Sequence, residues 1–181
     1  MQYIREDIRL IYYITNSTEV ITLKKTSLII GFLSVFLVLS IFMYITVNPP
    51  LSANGVSSFS DDKMKIVVEI VNSGFSNIKI KSVLVNGNNA QNIELGVSRT
   101  NHLVIGGGLE EDRYITFHNI NELEVQPELP IEELKRLNEK RDTQIIKHHG
   151  LRVIGKEIPE KIMIKYTYLG IPFSLEVDVK E

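Results

Sequence analysis

The stretch Ser27–Val47 (SLIIGFLSVFLVLSIFMYITV) constrains this chain more than any other feature, because its 21 residues include no charged side chain. With a rise of about 1.5 Å per residue, a helix of this length spans about 30 Å, the thickness of a bilayer's hydrocarbon core. A core helix of a soluble domain is usually shorter and carries a polar stripe. We therefore predict a single transmembrane helix over residues 27–47, with the lipid bilayer as its partner.

Positive charge stands on one side of this stretch only. Basic residues precede it at Arg5, Arg9, Lys24 and Lys25. No lysine or arginine follows it before Lys63. Because basic flanks are retained in the cytoplasm, we expect a cytoplasmic N-terminus and an extracytoplasmic C-terminal part. The stretch exceeds the ~7–15 apolar residues of a cleaved signal peptide, and the nearby Leu51-Ser52-Ala53 has a bulky residue where a small one is needed, so we predict a retained signal anchor.

Residues 1–26 are expected to form a short cytoplasmic segment with at most a brief helix. Leu23-Lys24-Lys25-Thr26, followed by the apolar stretch, is typical of the basic opening of a signal anchor. One hypothesis is therefore that translation of the native protein starts at Leu23 from a non-ATG codon. A peptide spanning Ile8 to Leu23, detected by mass spectrometry of cells, would contradict that hypothesis.

Residues 48–62 (NPPLSANGVSSFSDD) are rich in Pro, Gly, Ser, Asn and Asp. Such a composition offers little apolar area to offset the entropy lost when a chain becomes ordered. Pro49 and Pro50 are expected to end the membrane helix. The sequence thus predicts a flexible stalk over residues 48–62, followed by one extracytoplasmic domain over residues 63–181.

The domain over residues 63–181 is predicted to be mainly β. Its clearest signal is the alternation of apolar and polar residues over Ile162–Tyr168 and Phe173–Val179, with a hairpin turn at Leu169–Pro172. Shorter strands are predicted at Lys65–Val71, Ile78–Val85, Asn92–Val97, His102–Ile105, Tyr114–His118 and Leu151–Ile154. Short strands joined by close turns favour an immunoglobulin-like β-sandwich. The sequence has no cysteine and no tryptophan, so its core must consist of aliphatic residues, Phe and Tyr.

One amphipathic helix is predicted to be inserted between the strands. Pro130 stands at its start, Ile131, Leu134 and Leu137 form its apolar stripe, and it is expected to end near Asp142. We expect this helix to pack across an open end or edge of the sandwich and to protect an edge strand.

No residue is assigned to a catalytic, cofactor-binding or metal site on the sequence alone. The histidines are His102, His118, His148 and His149, and adjacent histidines in a strand point to opposite faces, so His148 and His149 cannot share one ion without a bend. The carboxylates Glu110–Asp112 lack the alternating spacing of a calcium loop. Gly106–Gly108 lacks the pattern and the following lysine of a phosphate-binding loop.

The net charge of −2, with both signs interspersed, gives no support to a nucleic-acid partner. Around Val71–Gly74, Lys79–Asn86 and Tyr166–Gly170, the chain resembles single-pass membrane proteins of low-GC Gram-positive bacteria that carry an immunoglobulin-like extracytoplasmic domain. That group has no activity to transfer. The resemblance implies a place in the cell envelope and says nothing about chemistry.

The sequence therefore favours a membrane-anchored extracytoplasmic binding module of the cell envelope, with an envelope protein as a candidate partner and no enzymatic activity. Two alternatives stay open. One is a membrane-tethered enzyme that uses His148, His149 or His118 together with the loop Glu110–Asp112. The other is a structural subunit of a larger membrane complex.

Overall fold

The computed structural model of the protein describes residues 27–58, 63–107, 112–140 and 143–179. The chain divides into two compact units, residues 1–48 and residues 49–181. The predicted cytoplasmic segment 1–26, with the alternative start at Leu23, lies outside the described residues.

The first unit contains helix α1 (Ser27–Val47), which confirms the helix predicted for the apolar stretch. Within the part of the chain that the structure describes, α1 is the one helix long and apolar enough to cross a membrane. Ser34, Ser40 and Thr46 each donate their hydroxyl hydrogen to a carbonyl of the preceding turn, at 2.8–3.1 Å. Because these hydroxyls are satisfied within the helix, they add little to the cost of placing it in lipid.

The second unit contains two antiparallel β-sheets in a sandwich-like arrangement. The spatial order of the first sheet is β1 (Leu51–Ser58), β2 (Lys65–Asn72), β7 (His148–Ile154), β5 (Asn92–Ser98) and β6 (Ile115–Asn119). The spatial order of the second is β4 (Asn88–Asn89), β3 (Ile78–Val85), β8 (Lys161–Tyr168) and β9 (Ile171–Asp178). Two helices, α2 (Val104–Gly107) and α3 (Ile131–Glu139), complete the unit. The prediction of a mainly β domain with an inserted helix is thereby confirmed.

The central strands of each sheet bury rows of apolar side chains. Ile66 of β2 pairs with Val153 of β7 and Val68 pairs with Leu151, and β2 is buried on its other face as well, at Val67. In the second sheet the buried row of β8 comprises Ile162, Ile164, Tyr166 and Tyr168. Burial on this scale, at about 25 cal/mol for each Å² of apolar surface, is the main stabilising contribution in a domain with no cysteine to form disulfides.

Tight turns with left-handed backbone connect two of the strand pairs. Asn86 and Gly87 have φ of 49° and 86°, and Leu169 and Gly170 have φ of 51° and 79°. Two successive residues with positive φ match the twist of the flanking strands and are favoured in two-residue hairpins. The predicted hairpin is confirmed, with its turn confined to Leu169–Gly170 and β9 beginning at Ile171.

The predicted flexible stalk over residues 48–62 is wrong for Leu51–Ser58, which form β1. This strand pairs with β2 from Leu51 opposite Asn72 to Ser58 opposite Ile66, with a bulge between Ala53 and Gly55. The polar composition concealed the strand because its order comes from backbone hydrogen bonds to β2, and Leu51 is its one fully buried apolar side chain. Residues 59–62 lie outside the described part of the chain.

The strand predicted at His102–Ile105 is also wrong, because Val104–Gly107 form the single turn of α2. The remaining predicted strands are confirmed with small shifts at their ends. Helix α3 begins directly after Pro130, as predicted, and its described part ends at Glu139. An ion pair within the helix joins Arg136 to Glu133, three residues earlier, at 3.0 Å.

Candidate functional site

The four histidines are distributed over three regions of the domain. His148 and His149 are consecutive in β7, and His149 is buried on the face that carries Leu151, whereas His148 lies on the opposite face with Gly150. His118 in β6 lies 3.3 Å from Thr116 Oγ1. His102 precedes α2, and its Nδ1 lies 3.1 Å from Asp112 Oδ2.

The described residues therefore do not assemble the histidine and carboxylate site of the enzyme hypothesis. Of its proposed carboxylates, Glu110 and Glu111 lie outside the described residues, and Asp112 contacts His102 rather than His118, His148 or His149. Among the residues that the structure describes, no group of three or more metal-ligating side chains could hold an ion.

A row of glycines interrupted by one glutamate crosses the first sheet. Gly55 pairs with Glu69, Glu69 with Gly150, and Gly150 with Gly96, so these residues lie side by side on adjacent strands. Phe117 continues the row opposite Gly96. Without side chains at three of these positions, the outer face of the sheet contains a shallow groove that runs across the strands.

Helix α2 fills this groove. A Cβ atom at Gly150 would lie 2.5 Å from Cγ1 of Val104, and one at Gly96 would lie 2.8 Å from the same atom. Val104 is fully buried in a small cluster with Val67 and Ile115. The glycines are therefore required by the close approach of α2, since any larger residue would collide with it.

Glu69 holds the first turn of α2 from within the groove. Its Oε2 accepts a hydrogen bond from the backbone N–H of Ile105 at 2.8 Å. Burial raises the pKa of Glu69, and the hydrogen bonds from the backbone of Ile105 and Val104 oppose part of that rise. His148 Nδ1 lies 4.0 Å from Glu69 Oε1, and burial together with the nearby Lys147 lowers the pKa of His148.

His149 occupies the inner side of the same strand. Its Nε2 accepts a hydrogen bond from the backbone N–H of Gln126 at 3.3 Å, which fixes the neutral ring with its second nitrogen protonated. Burial lowers the pKa of His149 to about 4, with a smaller contribution from His148. The adjoining cavity, which Glu69 and Leu134 also line, has a volume of about 40 Å³, enough for a few water molecules.

A larger polar cleft lies at the end of the first sheet where β5 ends and β7 begins. It has a volume of about 280 Å³. Its walls carry two cations, neutral donors and aromatic rings, contributed by Arg99, Thr100, Asn101, His102, Tyr114 and Lys147. We call it the cationic cleft.

The opposite end of the sheet, where β5 begins and β7 ends, has a cleft of about 400 Å³. Its walls are rich in side-chain amides, contributed by Asn88, Asn89, Gln91 and Asn92, beside Lys156 and Glu157. We call it the amide cleft. Sequence reasoning did not find either cleft, although the cluster of Asn and Gln between residues 86 and 92 was a visible signal for the second.

No protein-family model, curated protein or solved structure matches this chain.

Proposed function

We propose that this protein is a membrane-anchored binding module, held by α1 and displaying its two-sheet domain outside the cytoplasmic membrane. The observation that carries this proposal is the combination of an uncharged helix of membrane-spanning length with a folded β domain directly after it in the chain. Four basic residues precede α1, whereas no basic residue lies between Val47 and Lys63. This asymmetry supports an outward orientation of the domain.

We further infer that the domain is immunoglobulin-like in topology. The order β1-β2-β7-β5 of the first sheet corresponds to strands A-B-E-D of that fold, with β6 as an added edge strand. In the second sheet, β3, β8 and β9 correspond to strands C, F and G.

Binding is the role that this arrangement favours. Sandwich domains recognise ligands through the loops at their ends, which a rigid pair of sheets holds in place. Here each end of the first sheet has a polar cleft, the cationic cleft at one end and the amide cleft at the other. An extracytoplasmic partner, whether an envelope protein or another envelope component, would be engaged there.

The natural absence of cysteine provides a direct test of the orientation. Single cysteines are introduced at Ser174, which is exposed in β9, and at Ser17, which precedes the helix. In intact cells, a membrane-impermeant maleimide is expected to label Ser174→Cys fully, and to label Ser17→Cys only after lysis. Labelling of Ser17→Cys but not Ser174→Cys before lysis would overturn the orientation.

The same cells distinguish a retained anchor from a cleaved signal sequence. An affinity tag placed at the N-terminus is expected to remain on the mature chain and to sediment with the membrane fraction. Loss of the tag, with the domain released into the medium, would contradict the anchor.

The alternative of a structural subunit makes a different prediction. A subunit whose fold depends on partner chains is expected to aggregate when it is purified in mild detergent. A binding module is expected to be monodisperse, because the central strands of both sheets are already buried within one chain.

A further inference from the structure

The cationic cleft brings two like charges together in the fold. Ser98 of β5 pairs with His148 of β7, and the backbone N–H of Lys147 donates to the carbonyl of Ser98 at 2.8 Å. Arg99 and Lys147 lie directly beyond this last pair, and both line the same cleft. Two like charges that share one site repel each other.

No carboxylate among the described residues balances either cation. Lys147 is only 9% exposed, and its Nζ donates to the side-chain oxygen of Asn138 at 2.9 Å. Arg99 donates to the backbone carbonyl of Gln144 at 2.6 Å. Lys147 thus brings to the cleft an ammonium group whose acceptor is neutral, and a bound anion would balance its charge.

The rest of the cleft wall also provides donors. Asn101 is exposed, and no hydrogen bond joins its side-chain amide to another described residue. Thr143 also lines the cleft, and no hydrogen bond joins its hydroxyl to another residue in the described part of the chain. Asp112 is already engaged by His102, which also lines the cleft, and by the backbone N–H of Tyr114 at 2.8 Å.

We propose that the cationic cleft binds a phosphoryl group, with Arg99 and Lys147 as its principal ligands and Asn101 and Thr143 as neutral donors. The guanidinium of Arg99 and the ammonium of Lys147 together offer more hydrogen-bond donors than the two oxygens of a carboxylate can accept. A phosphoryl group has more oxygens and therefore matches these two side chains better. A cleft of about 280 Å³ lies near the lower limit for small-molecule sites, so the ligand is a small phosphate ester or a phosphorylated headgroup.

This inference deepens the proposed binding function and rests on it for the source of the ligand, which is either a lipid headgroup or a soluble phosphate ester. The chemistry of the cleft can be tested on the purified protein wherever the protein resides in the cell. A failure of this test therefore differs from a failure of the orientation experiment above.

The experiment uses the full chain in a neutral detergent, titrated calorimetrically with inorganic phosphate and with glycerol 3-phosphate. A second arm places the chain in vesicles of zwitterionic lipid with or without an anionic phospholipid, and measures protection of Thr100→Cys, which lines the cleft but is not one of the proposed ligands, from maleimide. Binding of glycerol 3-phosphate in the first arm would show that a soluble phosphate ester is a sufficient ligand. Protection confined to the anionic vesicles identifies a headgroup.

Arg99→Gln and Lys147→Gln are each expected to weaken binding about tenfold or more, because each removes a charge-assisted hydrogen bond. Lys156→Gln makes the same charge change at the amide cleft and is expected to leave affinity unchanged. Arg99 is half-buried, so its variant remains informative if Lys147→Gln does not fold. Absence of binding in both arms would overturn the proposal, as would binding that Arg99→Gln and Lys147→Gln leave within twofold of the unsubstituted protein.

Discussion

The packing of α2 in the groove formed by Gly55, Gly96 and Gly150 can be tested by adding one methyl group at Gly150. In Gly150→Ala, the new Cβ would lie 2.5 Å from Val104 Cγ1 and 2.7 Å from Val104 Cβ. Real Cβ atoms do not approach this closely, so either the strand or α2 must move. Val104 cannot rotate away, because its β-branched side chain is short, stiff at χ1 and completely buried.

Overpacking a core lowers the free energy of unfolding by about 1–3 kcal/mol. Replacing a flexible glycine in a strand by alanine raises it by about 0.5–1 kcal/mol, which offsets part of that loss. For a domain of this size, each kcal/mol lowers the melting temperature by about 3 °C. Gly55→Ala is expected to cost less, since its neighbour at 2.8 Å is the terminal Cδ1 of Ile105, which can swing aside.

The assay is thermal and urea unfolding of the full chain in mild detergent, followed by circular dichroism. Gly106→Ala is the matched control, because nothing lies within 4 Å of its added Cβ. Combining Gly150→Ala with Val104→Ala is expected to recover part of the loss, since the second substitution removes the closest colliding atom, Cγ1, and leaves the contact with Cβ. A Gly150→Ala protein as stable as the Gly106→Ala control would refute the packing of α2 on this face.

Further predictions concern the groups that surround this face. The pKa of His149 falls from 6.5 to about 4 on folding, so the unfolded chain binds the proton first and the folded state is expected to lose about 3 kcal/mol between pH 6.5 and pH 4. His149→Gln should flatten that decline in unfolding experiments across the pH range, and a curve that still parallels the unsubstituted protein would contradict the assignment. The raised pKa of Glu69 acts oppositely, because its protonated form is favoured by folding, so its stabilising contribution falls as the pH rises through 4.5 and above. Glu69→Leu should cost about 1–3 kcal/mol in urea unfolding by leaving a backbone N–H of α2 without its acceptor, whereas Glu69→Gln should stay within about 1 kcal/mol, and equal losses would argue against the hydrogen bond. Arg152→Lys should cost about 1 kcal/mol in the same assay, because the guanidinium stacks 3.4 Å from the ring centroid of Phe117 and pairs with Glu94, and no loss would mean that neither contact contributes.

The parts of the fold that could be predicted from the sequence are those whose signal is local. The apolar helix and the alternating strands β8 and β9 follow from the spacing of apolar residues alone, and Pro130 marks the start of α3. Strand β1 could not be predicted, because Leu51–Ser58 is polar in composition and gains its order from pairing with β2.

The sites depend on strand register, which no local pattern specifies. In the local sequence, Gly96 and Gly150 are only glycines that weaken a strand. The groove that receives α2 becomes visible when strand register places them side by side, next to Glu69. In the same way, Arg99 and Lys147 are far apart in sequence and line one cleft because Ser98 pairs with His148. The opposite facing of His148 and His149 was predictable, since it follows from the alternation of any strand.

The central claim is that the domain binds a component outside the membrane through its end loops. The most direct measurement is photo-crosslinking in intact cells, with a photoreactive amino acid placed at Asn101 in the cationic cleft, at Gln91 in the amide cleft, or at Ser174 on β9. The account predicts a discrete crosslinked species from at least one cleft position and none from Ser174. The absence of any species from both Asn101 and Gln91, in cells where the protein is present at the membrane, would contradict it.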